Sequence, residues 1–115
     1  MNRKQVEDWL EKLKNNWFNK NVEEAISLFK KTTYYQETPF TEPYTTFEEI
    51  SKEWQHVKEQ EIKEIKFIIL AIENRTAIIE WIFKRDICEF NGIYEIRFNE
   101  DGDCTYFRSW EMEKR

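Results

Sequence analysis

The stretch Thr76-Ala-Ile-Ile-Glu-Trp-Ile-Phe83 limits the fold of this chain more than any other. Six of its eight residues are apolar, and it contains neither glycine nor proline. β-Branched and aromatic side chains dominate, which suits a pleated, mostly buried surface better than a helix. An apolar run, Ile65 to Ile72, precedes it, and two strand-like runs follow. The expectation is a central strand of an antiparallel sheet.

A chain of 115 residues is expected to form one domain, residues 1–115, with a core that needs no metal or disulfide. Aromatic residues make up 17% of it, more than a minimal core requires, so some rings are candidates to line a cavity or an interface. The net charge of −5 repels phosphate backbones and argues against nucleic acid as a partner. No apolar run approaches the ~20 residues of a membrane span. Met-Asn-Arg-Lys-Gln leads straight into an amphipathic pattern, with no signal-peptide character. Two cysteines in a Lys- and Glu-rich chain point to a reducing, cytoplasmic setting. Asn74-Arg-Thr76 matches a glycosylation sequon and is read as chance.

The spacing of Val6, Trp9, Leu10, Leu13 and Trp17 predicts a first helix over about 3–17. Asn21 with Glu24 reads as a capping box for a second helix, with Val22, Ala25, Ile26 and Phe29 on its buried stripe. Thr32 to Glu37 is β-like, and the two prolines of Thr38 to Thr45 mark an irregular loop. Thr46 with Glu49 caps a third helix that buries Phe47, Ile50, Trp54 and Val57, leaving His56 off the stripe. Four strands then follow as a meander: about 63–73, 75–89, 93–99 and 104–112. Asn91-Gly92 and Asn99 to Asp103 are the turn signals. The fold class is α+β, with helices on one face of a strongly bent sheet.

These turns set an expected register. One face would carry Ile79, Trp81, Phe83, Ile87, Tyr94, Ile96, Phe98, Tyr106, Trp110 and Met112, and meet the helices. The other would carry Ile78, Glu80, Ile82, Lys84, Asp86, Glu95, Arg97, Thr105, Phe107 and Ser109, with Asp86 opposite Arg97. A bulge would swap the faces beyond it. Cys88 and Cys104 lie too far apart for a disulfide on this register and read as free thiols.

Three segments together carry a resemblance: Phe18 to Phe29, Tyr35-Gln-Glu-Thr-Pro-Phe40, and Tyr94 to Gly102 running into the last strand. In order and spacing the chain resembles the superfamily of nuclear transport factor 2, the ketosteroid isomerases and the SnoaL-like polyketide cyclases. The resemblance implies a cone-shaped, mainly antiparallel mixed sheet, three helices from the N-terminal half on its concave face, an apolar pocket and frequent dimers. The isomerase pattern implies a general-base Asp before the loop proline, where this chain has Thr38. It implies an oxyanion-holding Tyr where the chain has Leu13, and a protonated Asp where it has Tyr94. Thr38 cannot serve as a base near neutral pH and Leu13 has no proton to give, so steroid-type isomerisation by those residues is not expected.

On the expected register Glu89, Tyr94 and Arg108 share one row, able to hold the polar end of a ligand or to move a proton. The plainer reading is a cross-strand salt bridge at the sheet rim. Glu37 sits beside the isomerase base position, although alternation from Thr38 turns it outward. The catalytic candidates are therefore Tyr94, Glu89 and Glu37. The ligand-binding candidates are Trp17, Tyr34, Thr38, Phe40, Trp54, Trp81, Tyr94, Tyr106, Arg108 and Trp110, although the rings could equally fill the cone as core. A lone His56 and separated cysteines give no metal site, and no cofactor motif is present. The expected function is binding of a small apolar molecule. The alternatives are a cofactor-independent acid/base enzyme, or a structural dimer or adaptor. A homodimer through the outer sheet face is expected.

Overall fold

A computed structural model describes residues 1–114. Three helices come first or nearly so: α1 (Arg3–Phe18), α2 (Val22–Ser27) and α3 (Phe47–Trp54), with a short strand β1 (Tyr34–Gln36) before α3. A 3-10 turn, Gln55–Glu59, follows α3. Then come β2 (Ile62–Glu73), β3 (Thr76–Arg85), β4 (Glu89–Phe98) and β5 (Cys104–Glu113). The sheet runs β1-β5-β4-β3-β2, with β1 parallel to β5 and every other pair antiparallel. The expected α+β architecture is thus present. The founding stretch lies within β3, paired on both sides, with β4 as the middle strand.

Each helix forms because its apolar spacing gives it one face to bury. In α1, Val6, Trp9, Leu10 and Leu13 are buried, and Trp17 packs half-buried at the end. Its N-terminus is closed by a capping box between Asn2 and Gln5 that the sequence reading did not single out. The box expected at α2 is absent, since Asn21 makes no side-chain cap bond. The box at α3 is present between Thr46 and Glu49. Ile50, Trp54 and Val57 are buried as expected, but Phe47 lies on the exposed side of the first turn.

Two register expectations fail, for separate reasons. Asn91-Gly92 is not a turn; both residues lie inside β4. The chain reverses at Asp86 to Cys88, where the Arg85 N–H donates to the Cys88 carbonyl, and Phe83 pairs with Phe90. Gly92 is needed for packing instead. A Cβ there would lie 2.6 Å from the Trp81 ring and collide with the Trp110 carbonyl oxygen. Ile87, expected in the core, is 75% exposed at the reversal.

The second turn forms as expected. Asn99 N–H donates to the Asp103 carbonyl, Asn99 Oδ1 accepts from the Asp101 and Asp103 amides, and Gly102 takes φ +83°. Phe98 pairs with Cys104, but Arg97 then pairs with Tyr106, so Thr105 is an extra residue in β5. This bulge exchanges the two faces of β5. Phe107 and Ser109 are buried, while Tyr106, Arg108, Trp110 and Met112 lie on the outer face, the reverse of expectation. The faces of β3 and β4 agree with it: Ile79, Trp81, Phe83, Tyr94, Ile96 and Phe98 are buried. The expected Asp86–Arg97 pair is absent; Arg97 pairs with Glu95 at 2.6 Å and stacks over Tyr106.

The core centres on Phe29, which meets Trp9, Tyr35 and Phe107 edge-on at 5.2–5.8 Å. Cys88 and Cys104 are free, and burial pushes the Cys104 thiol up to about 12. Among the described residues no helix is long and apolar enough to cross a membrane.

Candidate functional site

The site is built from lateral rows of the sheet. Tyr35 pairs with Phe107, and both face the helices. Two residues further along the parallel pair, alternation sets Glu37 beside Ser109, and Ser109 pairs with Tyr94. The next inward row is Glu111, Gly92 and Trp81, and beyond it stand Phe90 and Phe83. Above these rows lie Leu13 and Trp17 of α1, Glu53 and Trp54 of α3, and His56, Val57 and Gln60 around the 3-10 turn. Together with Arg85 at the end of β3 they enclose a cavity of about 190 Å³.

Most of the wall is aromatic and fixed. Trp17 stacks on Phe83 at 4.7 Å and meets Trp54 edge-on at 5.6 Å. Trp81 stacks on Tyr94 at 5.3 Å. Buried indoles need partners for their N–H groups. Trp81 Nε1 donates to Ser109 Oγ at 3.1 Å, and Trp17 Nε1 to Gln60 Oε1 at 3.2 Å. The Trp54 N–H is buried without a hydrogen-bond partner; it approaches the Tyr35 hydroxyl closely enough to favour the phenolate, but not in hydrogen-bond geometry.

The polar groups are carboxyls and phenols. The Tyr35 hydroxyl donates to Glu37 Oε1 at 3.0 Å. Burial, followed by the charges of Glu53 and Glu111, pushes the Glu37 carboxyl up to about 7, against the smaller downward pull of that hydrogen bond. Burial raises the Glu111 carboxyl too, with help from Glu113. Burial, with Glu37 and Glu111 adding to it, holds the Tyr94 phenol well above its ordinary range. Glu53 Oε2 accepts from the Tyr44 hydroxyl at 3.1 Å. Such an arrangement can hold a proton at neutral pH and offer it, or a hydrogen bond, to a molecule in the cavity. Among the described residues no three His, Cys, Asp or Glu side chains are grouped to hold a metal ion.

The structure divides the candidate residues. Trp17, Trp54, Trp81 and Tyr94 lie in the cavity wall, as do Leu13 and Glu37. Tyr34, Tyr106, Arg108 and Trp110 do not; Tyr34 stacks on Tyr106 at 4.6 Å, and Arg108 lies over Trp110 at 4.5 Å. The Thr105 bulge put the three β5 residues outside, and alternation from the buried Tyr35 puts Tyr34 there. Phe40 is 98% exposed at the loop tip, and Thr38 bonds Thr41 within that loop. The expected row of Glu89, Tyr94 and Arg108 does not exist. Glu89 pairs with Lys84 and Lys114 at 3.3 and 3.4 Å on the surface, and the Lys84 hydrogen bond leads in lowering its carboxyl. Glu95, not Glu89, stands opposite Arg108.

Glu37 was expected to point outward and instead enters the wall. Alternation counted from the buried Tyr35, rather than back from the loop, would have placed it correctly. Glu53 and Glu111 were missed altogether. Glu53 immediately precedes Trp54 of the α3 stripe, and Glu111 became inward-facing only through the bulge. His56 is exposed yet borders the cavity.

No protein-family model matches the chain, and no curated protein does. Solved structures match it closely in shape. A protein of unknown function from Burkholderia xenovorans LB400, described as like nuclear transport factor 2, superposes with a TM-score of 0.77 at 7% identity, over 97% of this chain and 86% of that one. A steroid delta-isomerase from Pseudomonas aeruginosa gives 0.69 at 17% identity, over 94% and 77%. A SnoaL-like protein assigned as a polyketide cyclase, from Shewanella denitrificans OS-217, gives 0.68 at 9% identity, over 96% and 92%.

Proposed function

On the cone fold of the SnoaL-like, ketosteroid isomerase and nuclear transport factor 2-like proteins, which this chain adopts, we propose a single domain that binds a small, largely apolar organic molecule. Its ring would lie among Trp17, Trp54 and Trp81, and its polar end at Glu37 and Tyr94. The observation that carries this reading is the cavity itself, whose aromatic wall ends in a half-buried carboxyl and a buried phenol. An apolar cavity of about 150 Å³ takes benzene. One of about 190 Å³ therefore suits a single-ring molecule rather than a steroid.

Native mass spectrometry of freshly purified protein, repeated after denaturation, tests the reading. A small extra mass lost on denaturation, or tryptophan quenching by single-ring compounds, supports it. A bare subunit mass together with no fluorescence response to such compounds contradicts it.

A second reading, acid/base catalysis without a cofactor, is favoured by one observation: the Glu37 carboxyl sits at about 7, where a general base or acid is most effective. Glu37 would take or give the proton and Tyr94 would hydrogen-bond the developing oxyanion. On this reading Glu37→Gln and Tyr94→Phe each lower kcat by about 10²-fold or more while ligand binding survives. Unchanged turnover in both variants would remove them from the mechanism.

We also propose a cytoplasmic location, which the two free thiols support, and a homodimer through the outer sheet face. That face is rich in rings and branched chains, including Ile78, Ile82, Ile93, Tyr106 and Trp110. Phe107, expected on this face, belongs to the core. The net charge of −5 still argues against nucleic acid.

A further inference from the structure

The cavity collects carboxyl groups from three separate elements: Glu37 after β1, Glu53 on α3 and Glu111 on β5. The basic side chains facing them are Arg85 at the end of β3 and His56 on the 3-10 turn. Tyr35 and Tyr94 complete the titratable set. Hydrogen bonds use only part of this capacity. Glu37 accepts from Tyr35 and Glu53 from Tyr44, each through one oxygen, and no bond from a described residue reaches Glu111. Among the described residues the Tyr94 hydroxyl has no hydrogen-bond partner either, although Tyr94 is only 5% exposed and borders the cavity. Burial and the charges of Glu53 and Glu111 oppose ionisation of Glu37. A cation among these carboxyls would relieve that repulsion and give the Tyr94 oxygen a donor.

We propose that the ligand is a small organic cation, a primary ammonium on a single-ring body, with its N–H groups on Glu37, Glu111 and the Tyr94 oxygen. This rests on the binding reading above and narrows it to one chemical class. An ammonium has three donors and no acceptor, matching the unused acceptor oxygens of Glu37, Glu111 and Tyr94, while the Trp54 and Arg85 N–H groups of the same wall have no partner among the described residues. The rings of Trp54 and Trp81 stand beside it, and aromatic faces attract cations, most strongly where water is excluded. A carboxylate ligand would meet repulsion from the same side chains, and a neutral alcohol would satisfy them only in part.

Isothermal titration of the protein at pH 7 with benzylammonium, benzyl alcohol and benzoate tests this, since the three share one ring and differ in the polar end. Benzylammonium should bind about tenfold more tightly than benzyl alcohol, with benzoate weakest. Glu37, at about 7, is near half-protonated there. Benzylammonium should therefore release protons on binding, seen as a buffer-dependent heat, and Glu37→Gln should abolish that release. Glu111→Gln should remove most of the preference for benzylammonium over benzyl alcohol. Equal or tighter binding of benzyl alcohol would overturn the cation and leave the binding reading standing. No binding of any of the three would overturn both.

Discussion

Glu37 concentrates the electrostatic problem of this protein in one side chain. Its carboxyl is raised from 4.5 to about 7, so the folded chain holds that proton more tightly than the unfolded chain does. Between pH 4.5 and about 7 the unfolded state therefore binds fewer protons, and stability falls as pH rises through that window, then levels off. A rise of this size corresponds to about 3 kcal/mol. Glu37→Gln should remove the fall and leave the variant more stable than the parent above pH 7, by up to about 3 kcal/mol. Thermal melts from pH 4 to 8 would check this, and parallel curves for the two proteins would refute it. Gly92 is the second critical residue. A Cβ there meets the Trp81 ring and the Trp110 backbone, neither of which is a flexible tip. Gly92→Ala should cost about 1–3 kcal/mol by overpacking, measured by urea denaturation. The sequence offered Asn91-Gly92 as a turn because that pair forms tight turns so readily. The competing use of glycine, to let an indole lie against the strand, leaves no local trace.

Among the elements, legibility followed the reach of the signal. The four long strands and the helix stripes were readable because apolar periodicity is summed over many residues. So was the Thr46–Glu49 box, with two bonds across three residues. The Asn21–Glu24 pattern looked the same and does not cap. Thr46→Ala should accordingly destabilise the fold by about 1 kcal/mol, whereas Asn21→Ala should cost measurably less. Equal losses in denaturant titrations would count against the observed cap geometry. The faces of β3 and β4 were also legible, but those of β5 were not, because the single residue Thr105 reverses them. No composition distinguishes that threonine from its neighbours. One bulge thus moved Tyr106, Arg108 and Trp110 out of the expected site and brought Phe107, Ser109 and Glu111 into it.

Across the whole molecule, the aromatic excess has two destinations. One set of rings closes the cavity between the helices and the sheet. The other covers the outer face, where Arg97 and Arg108 lie over Tyr106 and Trp110 at 4.1 and 4.5 Å. If that face joins two copies, native mass spectrometry should give twice the subunit mass, and Trp110→Glu should give the monomer without a change in the fold. A parent protein that is monomeric at high concentration would contradict the dimer. The chemistry of the site turns on one carboxyl, Glu37, held near neutrality in an aromatic cavity. The direct test is a pH titration of the protein labelled with ¹³C at the glutamate carboxyl carbons, followed by NMR. One carboxyl should titrate with a midpoint near 7, and its signal should be missing from Glu37→Gln. If every glutamate titrates in the ordinary carboxylate range, Glu37 does not stand in the site described.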